Sequence, residues 1–206
     1  MIYENKYWYF DRVLPEIFCD HIIERGNKET EIMASTGGFD IEKDFSKENL
    51  EKLKTKRNSN IVWLNDRWIY DEIHPFVNSA NHQAGWKFDW DWTETCQFTK
   101  YKLNQHYGWH VDGWDKPYAD KTDGANGKIR KLSTVCILSD SSDYEGGEFE
   151  FQFRNQDDPT VTWKVEELKN RGSLIVFPSH LWHRVRPVTS GTRYSLVTWH
   201  LGLPFK

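Results

Sequence analysis

From position 86 onward the apolar residues of this chain recur at every second place. Phe88, Trp90 and Trp92 alternate with Asp89 and Asp91. Successive side chains of an extended backbone point to opposite faces, so this pattern reads as a strand with one dry and one wet face. Further short segments of strand character follow at 95–101, 106–112, 129–138, 148–153, 161–165, 173–177, 183–188 and 193–201. Turns rich in Gly, Asp and Pro separate them, at 140–147, 155–159, 170–172 and 189–191. Many short strands with no long helix between them leave few solutions, and a sandwich or jelly roll is the expected one.

The preceding residues keep a different period. Leu14-Pro15-Glu16, then Ile17, Phe18, Ile22 and Ile23, then Gly26, read as a short amphipathic helix with Pro in its first turn and Gly just past its end. Asp66 is a plausible N-cap for a longer helix carrying Trp68, Ile69, Ile73, Val77, Ala80 and Ala84 at helical spacing, which Pro75 should kink or divide. Between them, 27–60 is polar, with a turn at Gly37-Gly38, a loop or weak helix over 45–56 and an edge strand over 57–64. The expectation is one domain over 1–206, mainly β with flanking helices (α+β). Residues 1–85 would be mainly helical support and 86–203 the β core. A chain of 206 residues is long enough for such a core.

Composition narrows the setting. The net charge of −4 supplies no global basic field to recruit nucleic acid. The three cysteines, Cys19, Cys96 and Cys136, form no CxxC, and their odd number argues against a disulfide framework. No apolar run reaches membrane-spanning length, and MIYENKYWYF lacks a signal pattern. A soluble cytoplasmic protein is therefore expected. The aromatic share, 16 % with 11 Trp, fits a core built from large rings better than an aromatic substrate surface.

Two segments carry chemistry. Residues 97–112 contain His110 and Asp112, two apart and so on one face of a strand. His183 follows the apolar run Leu174–Pro178, and Arg193 stands ten residues beyond it, across the turn Thr189-Ser190-Gly191. A hairpin of that size would let His183 and Arg193 face one cavity, with Ser195, Val197 and Trp199 on Arg193's side. Two imidazoles and one carboxylate leave the opposite side of a metal open, the ligand set of a non-haem Fe(II) oxygenase. A guanidinium suits the far carboxylate of a dicarboxylate cosubstrate, with Ser195 as helper, and Trp199 would wall the site from water.

These residues resemble those of the 2-oxoglutarate/Fe(II)-dependent oxygenases of the prolyl-4-hydroxylase superfamily, nearest to the PKHD-type hydroxylases, over roughly 96–201. The landmarks are Tyr101 and Tyr107 ahead of His110-Val111-Asp112, and Asp143-Tyr144-Glu145-Gly146-Gly147-Glu148. Phe177-Pro178-Ser179, His183, Pro187-Val188-Thr189 and Gly191-x-Arg193 complete them. The resemblance implies a double-stranded β-helix (a jelly-roll, cupin-like core) with His110, Asp112 and His183 as iron ligands and Arg193 on the cosubstrate's C5 carboxylate. Tyr101 would line the same pocket, and Trp199 falls where relatives often carry Trp. Some relatives place a second pocket tyrosine after the loop, where this chain has Cys136 or its neighbours; Thr134 would compensate. The implied cofactors are Fe(II), 2-oxoglutarate and O₂, with ascorbate as a reductant. The implied reaction is hydroxylation of an unactivated C–H with decarboxylation of 2-oxoglutarate to succinate and CO₂. The carboxylate of Asp112 favours hydroxylation over halogenation.

Other readings stand beside these. His180 suits a structural role near the site, His106 a satisfied strand position, and His200 should face away from the cavity. The acidic 140–148 stretch reads as a solvated turn rather than a second cation site. Residues 113–128 are an ordinary surface loop or a lid. The substrate expected by analogy is a prolyl or other side chain in a peptide or protein, ahead of a small molecule. A nucleic-acid base is disfavoured, although Lys121, Lys128, Arg130 and Lys131 cluster near the loop. A jelly-roll metal- or ligand-binding module without turnover is the rival class. The sequence carries no signal for oligomeric state.

Overall fold

The computed structural model describes residues 5–36, 46–113, 116–119, 124–153 and 161–205. The expected turns at Gly37-Gly38 and 155–159 lie outside these, as do Lys121 and parts of the 113–128 loop. In chain order the elements are β1 (Trp8–Phe10), α1 (Glu16–Asn27), β2 (Ile32–Met33), α2 (Lys47–Lys56), β3 (Arg57–Asn58), β4 (Asn60–Leu64) and α3 (Arg67–Gln83). Then come β5 (Trp92–Thr93), β6 (Cys96–Tyr101), β7 (His106–His110), β8 (Ile129–Ile137), β9 (Tyr144–Gly146), β10 (Phe149–Gln152) and β11 (Thr162–Lys164). A 3₁₀ turn (Glu166–Lys169), β12 (Leu174–Pro178), β13 (Trp182–Val185), β14 (Val188–Gly191) and β15 (Arg193–Gly202) complete the set.

The strands form a double-stranded β-helix. Its larger sheet runs β1-β12-β8-β15-β6-β4-β2, with β5 also on β15; the smaller runs β11-β10-β13-β7-β3, and β9 pairs with β14. Residues 1–85 are thus more than helical support, because β1 to β4 complete both sheets. The expected edge strand at 57–64 divides at buried Ser59: β3 joins β7 in the smaller sheet, and β4 sits inside the larger one between β2 and β6.

Helices α1 and α3 cover the outer face of the larger sheet. Phe18, Ile22, Ile69, Ile73 and Val77 pack there with Phe98, Leu132, Cys136 and Leu196. Gly26 lies inside α1 rather than past its end. The reason is Phe98, whose ring would be 2.3 Å from a Cβ at that position. Helix α2 starts at Ser46, whose Oγ accepts the Asn49 N–H at 3.1 Å. Pro75 neither divides nor ends α3. A mid-helix proline costs ~3 kcal/mol. Burying Ile69, Ile73 and Val77 contributes ~1.5–3 kcal/mol each and outweighs it.

The 86–92 alternation is present in burial but makes little sheet. Trp86 and Phe88 are buried and Lys87, Asp89 and Asp91 exposed, yet pairing begins only at Trp92. Lys87 turns through a left-handed φ of 52°, and the Asn81 side chain bonds both the Phe88 N–H (2.9 Å) and its carbonyl (2.8 Å). A side chain therefore satisfies the backbone that a neighbouring strand would have paired. Among the described residues no helix is long and apolar enough to cross a membrane.

Candidate active site

The space between the two sheets holds a second core (Val135, Ile137, Phe149, Phe151, Phe177 and Val185) that opens into a small cavity. Strands β7 and β13 bring two imidazoles to its floor. His110 and His183 are direct cross-strand partners, and β7 bulges between Tyr107 and His110. A bulge re-aims side chains locally, and the ring centroids lie 4.1 Å apart. Gly108, inside the bulge, runs so close to Lys56 that a Cβ would meet its carbonyl at 3.0 Å.

Asp112 follows just beyond β7. His110 Nε2 lies 3.6 Å from Asp112 Oδ1, and His183 Nε2 lies 3.5 Å from Oδ2. The three ligand atoms fall within 4.8 Å of one another, the one such cluster among the described residues. Each histidine donates its Nδ1–H to a nearby carbonyl, His110 to Gly108 at 2.8 Å and His183 to Leu181 at 2.9 Å. A carbonyl can only accept, so the proton sits on Nδ1 and the Nε2 lone pairs point at the shared centre. Burial and the neighbouring His110 push the His183 pKa down to about 4, which keeps its ring neutral. Burial opposes the charge on Asp112, but His183, His110 and Arg130 outweigh it and hold the carboxyl well below the usual carboxylate range. Two imidazoles, each with its Nε2 turned to the shared centre, and one carboxylate are a donor set that fits Fe(II).

Arg193 enters from the opposite sheet. It is 1 % exposed and pairs directly across the ladder with Tyr101, whose ring centroid lies 5.5 Å from the guanidinium carbon. Nη1 donates to Ser195 Oγ at 3.1 Å, whereas Nε is buried and finds no partner among the described residues. Among the described residues it has no carboxylate partner. A buried guanidinium left this way calls for an anion that the described residues do not supply. A dicarboxylate reaching from the triad toward β15 would meet that need.

Gln97, Tyr101, Val197 and Trp199 line the same cavity. At about 30 Å³ it has room for roughly one water, so a larger ligand enters only as lining side chains move. Two expectations are corrected. Thr134 is not a cavity residue: its hydroxyl bonds His200 Nε2 at 3.2 Å on the helix-covered face of β8, with Cys136 beside it in that core. The alternate residue Val135 faces the cavity. Nor do β13 and β15 form a hairpin. The expected turns at 140–147 and 189–191 contain β9 and β14, whose pairing leads the chain from one sheet to the other.

Three further residues contribute to the site, of which the sequence marks Tyr107 and Gly147, and those only as landmarks without a role. Tyr107 stacks on His110 at 3.5 Å with Arg57 on its ring at 4.3 Å, and burial pushes its hydroxyl up to about 12. Gln97 shares Tyr101's strand parity and with it the cavity face of β6. Gly147, at φ 63°, lies where a Cβ would meet Arg193 Cδ at 2.8 Å. Of the other histidines, His106 has a ring nitrogen beside each of the Asn104 and Thr55 carbonyls, and His200 is buried away from the cavity with Thr93, Thr134 and Thr198. The basic cluster is largely engaged: Lys128 pairs with Asp91 at 2.7 Å, Arg130 with Glu94, and Lys131 lies 4.6 Å from the Phe205 ring. Beyond the Trp199 indole runs a groove of about 460 Å³ lined by Trp63, Trp92, Glu94, Tyr118 and Arg130.

Residues 96–201 match the 2OG-Fe(II) oxygenase superfamily, and the chain belongs to it. A PKHD-type hydroxylase of Synechococcus sp. (strain CC9605) is 38 % identical over 95 residues, 46 % of this chain and 36 % of that protein. The chain thus spans well under two thirds of the length of such relatives. The collagen prolyl hydroxylase of Paramecium Bursaria Chlorella virus-1, in its 2OG complex, superposes with a TM-score of 0.64 at 24 % identity, covering 97 % of this chain and 98 % of that one. A Pseudomonas putida prolyl-4-hydroxylase gives 0.63 at 19 % identity, covering 96 % and 92 %. At these identities the structures speak for the fold.

Proposed function

We propose that the protein is an Fe(II)- and 2-oxoglutarate-dependent dioxygenase that hydroxylates an unactivated C–H of a prolyl or other side chain in a peptide or protein. One observation carries the reading: a His110/Asp112/His183 cluster faces a buried Arg193 that has no carboxylate partner among the described residues. His110, Asp112 and His183 would hold the metal. Arg193, with Ser195, would grip the far carboxylate of 2-oxoglutarate through charge-assisted hydrogen bonds. Tyr101 and Val135 shape the cosubstrate pocket, and Trp199 keeps water out. When bound, iron and 2-oxoglutarate supply the oxidising chemistry: the cosubstrate leaves as succinate and CO₂, with one atom of O₂ in succinate and the other in the new hydroxyl. The residues of the chain provide orientation, charge and dryness.

The peptide substrate is favoured by the PKHD-type hydroxylase relatives and by the fold shared with prolyl hydroxylases. The aromatic groove beside Trp199 offers rings against which a peptide side chain can lie. A nucleic-acid base is disfavoured because Lys128, Arg130 and Lys131 already have partners.

Anaerobic titration of the protein with Fe(II) and then 2-oxoglutarate tests the reaction class. The expected result is a visible charge-transfer band that disappears in Asp112→Ala and His183→Ala. A folded, iron-loaded protein without the band would leave the non-catalytic module as the better account. Incubation with proline-containing peptides, read by mass spectrometry for one added oxygen, then tests the substrate.

A further inference from the structure

We propose that Arg130 is a positioning residue of the metal centre, holding the Asp112 main chain and the Trp199 indole in place; this rests on the reading of His110, Asp112 and His183 as iron ligands. Asp112 lies past the end of β7, so the ladder does not fix it. Its N–H and that of Gly113 both donate to the Ser179 carbonyl, at 2.9 and 2.8 Å, and Ser179 Oγ is bonded to Ser133 Oγ at 2.9 Å. On the other side Arg130 Nη1 approaches the Asp112 carbonyl at 3.5 Å. The main chain of the ligand is therefore held from both directions.

The same guanidinium does two further things. Its Nε donates to Glu94 Oε1 at 2.7 Å and its Nη2 to the other carboxylate oxygen, while Glu94 also accepts the Tyr118 hydroxyl at 3.1 Å. Its carbon lies 3.9 Å from the centre of the Trp199 ring. Among the described residues the buried Trp199 Nε1–H finds no hydrogen-bond partner, so packing rather than a hydrogen bond orients that indole. Only a planar fork can engage a carboxylate twice, keep a third nitrogen for a carbonyl and present a face to an indole; a lysine ammonium cannot. The Arg130 and Glu94 side chains are 18 % and 16 % exposed. A pair shielded to that degree returns little net stability, because desolvation offsets the attraction. Positioning accounts for it better.

The test is a titration with Co(II), whose visible bands report coordination geometry, on the wild-type protein and on Arg130→Lys, Arg130→Met and Glu94→Gln. Partners that orient metal ligands are typically worth 10–100-fold in metal affinity. A loss of at least about tenfold with altered Co(II) bands is expected in both Arg130 variants, and a smaller loss in Glu94→Gln. Arg130→Lys retains the charge opposite Glu94 and serves if Arg130→Met does not fold. In an Asp112→Ala background, Arg130→Lys should cost nothing further, because its effect passes through Asp112. Wild-type affinity and spectrum in Arg130→Lys would overturn the proposal, and so would an undiminished loss in the Asp112→Ala background. Failure of the wild-type protein to bind Co(II) would instead overturn the metal-centre reading beneath it.

Discussion

Gly147 has no side chain, yet it decides where Arg193 sits. At φ 63° it occupies a backbone region that costs other residues about 1–2 kcal/mol, and a methyl there would press on Arg193 Cδ at 2.8 Å and on Val188 at 3.1 Å. Gly147→Ala should therefore lower the urea midpoint by that order of stability and weaken 2-oxoglutarate binding, seen as a rightward shift of the charge-transfer titration. Unchanged cosubstrate affinity would mean that the guanidinium does not bind it. Arg193 makes the opposite trade. Its charge is buried and has no carboxylate partner among the described residues, so Arg193→Met removes a desolvation cost. The variant should be at least as stable as the wild type without ligand, while losing about 2–3 kcal/mol of cosubstrate binding, the worth of charge-assisted hydrogen bonds. Denaturation and titration of the same sample separate the two effects. At this scale the sequence was most readable where chemistry dictates residue type. His110, Asp112, His183 and Arg193 could be singled out by kind and spacing. The expectation for Thr134 rests on the resemblance alone, and its side chain meets His200 on the helix-covered face of β8; the strand's pattern does not itself say which of its two faces looks into the cavity.

Strand β15 shows what one element does with both its faces. Arg193, Ser195, Val197 and Trp199 look into the cavity. His200 looks the other way and is buried, with Nε2 near the Thr134 and Thr198 hydroxyls and Nδ1 near that of Thr93. Burial and the nearby His74 push its pKa from 6.5 down to about 3. The folded state thus resists a proton that the unfolded chain accepts from about pH 6.5 downward. Stability contributed by neutral His200 is complete above pH 6.5 and falls as pH drops toward about 3, by up to ~1.4 kcal/mol per pH unit. The stability difference between the wild type and His200→Asn, measured by urea unfolding at pH 7, 6 and 5, should therefore shrink toward acid. A difference that stays flat would show that His200 is not held neutral. The 86–92 stretch teaches the complementary lesson. Its alternation reports burial correctly, but Asn81 and the left-handed Lys87 redirect its hydrogen bonds, and a side chain 7 residues away from Phe88 leaves no periodic trace.

At the scale of the molecule the β-rich architecture was legible from strand count and turn chemistry, whereas the part played by β1 to β4 was not. Strands of two to five residues such as β2 and β4 acquire their identity from partners far along the chain: β4 pairs with β6 and β1 with β12. The same long-range pairing sets up the site, since the metal-ligand candidates come from the smaller sheet and its edge while Arg193 comes from the larger one. A metal alone would tie together only β7, β13 and the chain just after β7. A dicarboxylate reaching Arg193 would tie one sheet to the other. A ligand present at 100 times its dissociation constant stabilises by ~2.7 kcal/mol, which for a chain of this length raises the melting temperature by about 5–10 °C. Under anaerobic conditions, therefore, Mn(II) should give one rise in Tm and 2-oxoglutarate a second rise on top of it. In Arg193→Met the first should persist and the second should vanish. In His183→Ala both should go, because the cosubstrate would have lost its anchor at one end. If 2-oxoglutarate were to raise the Tm of Arg193→Met as much as that of the wild type, the cosubstrate would lie elsewhere, and the buried guanidinium on β15 would need another anion to explain it.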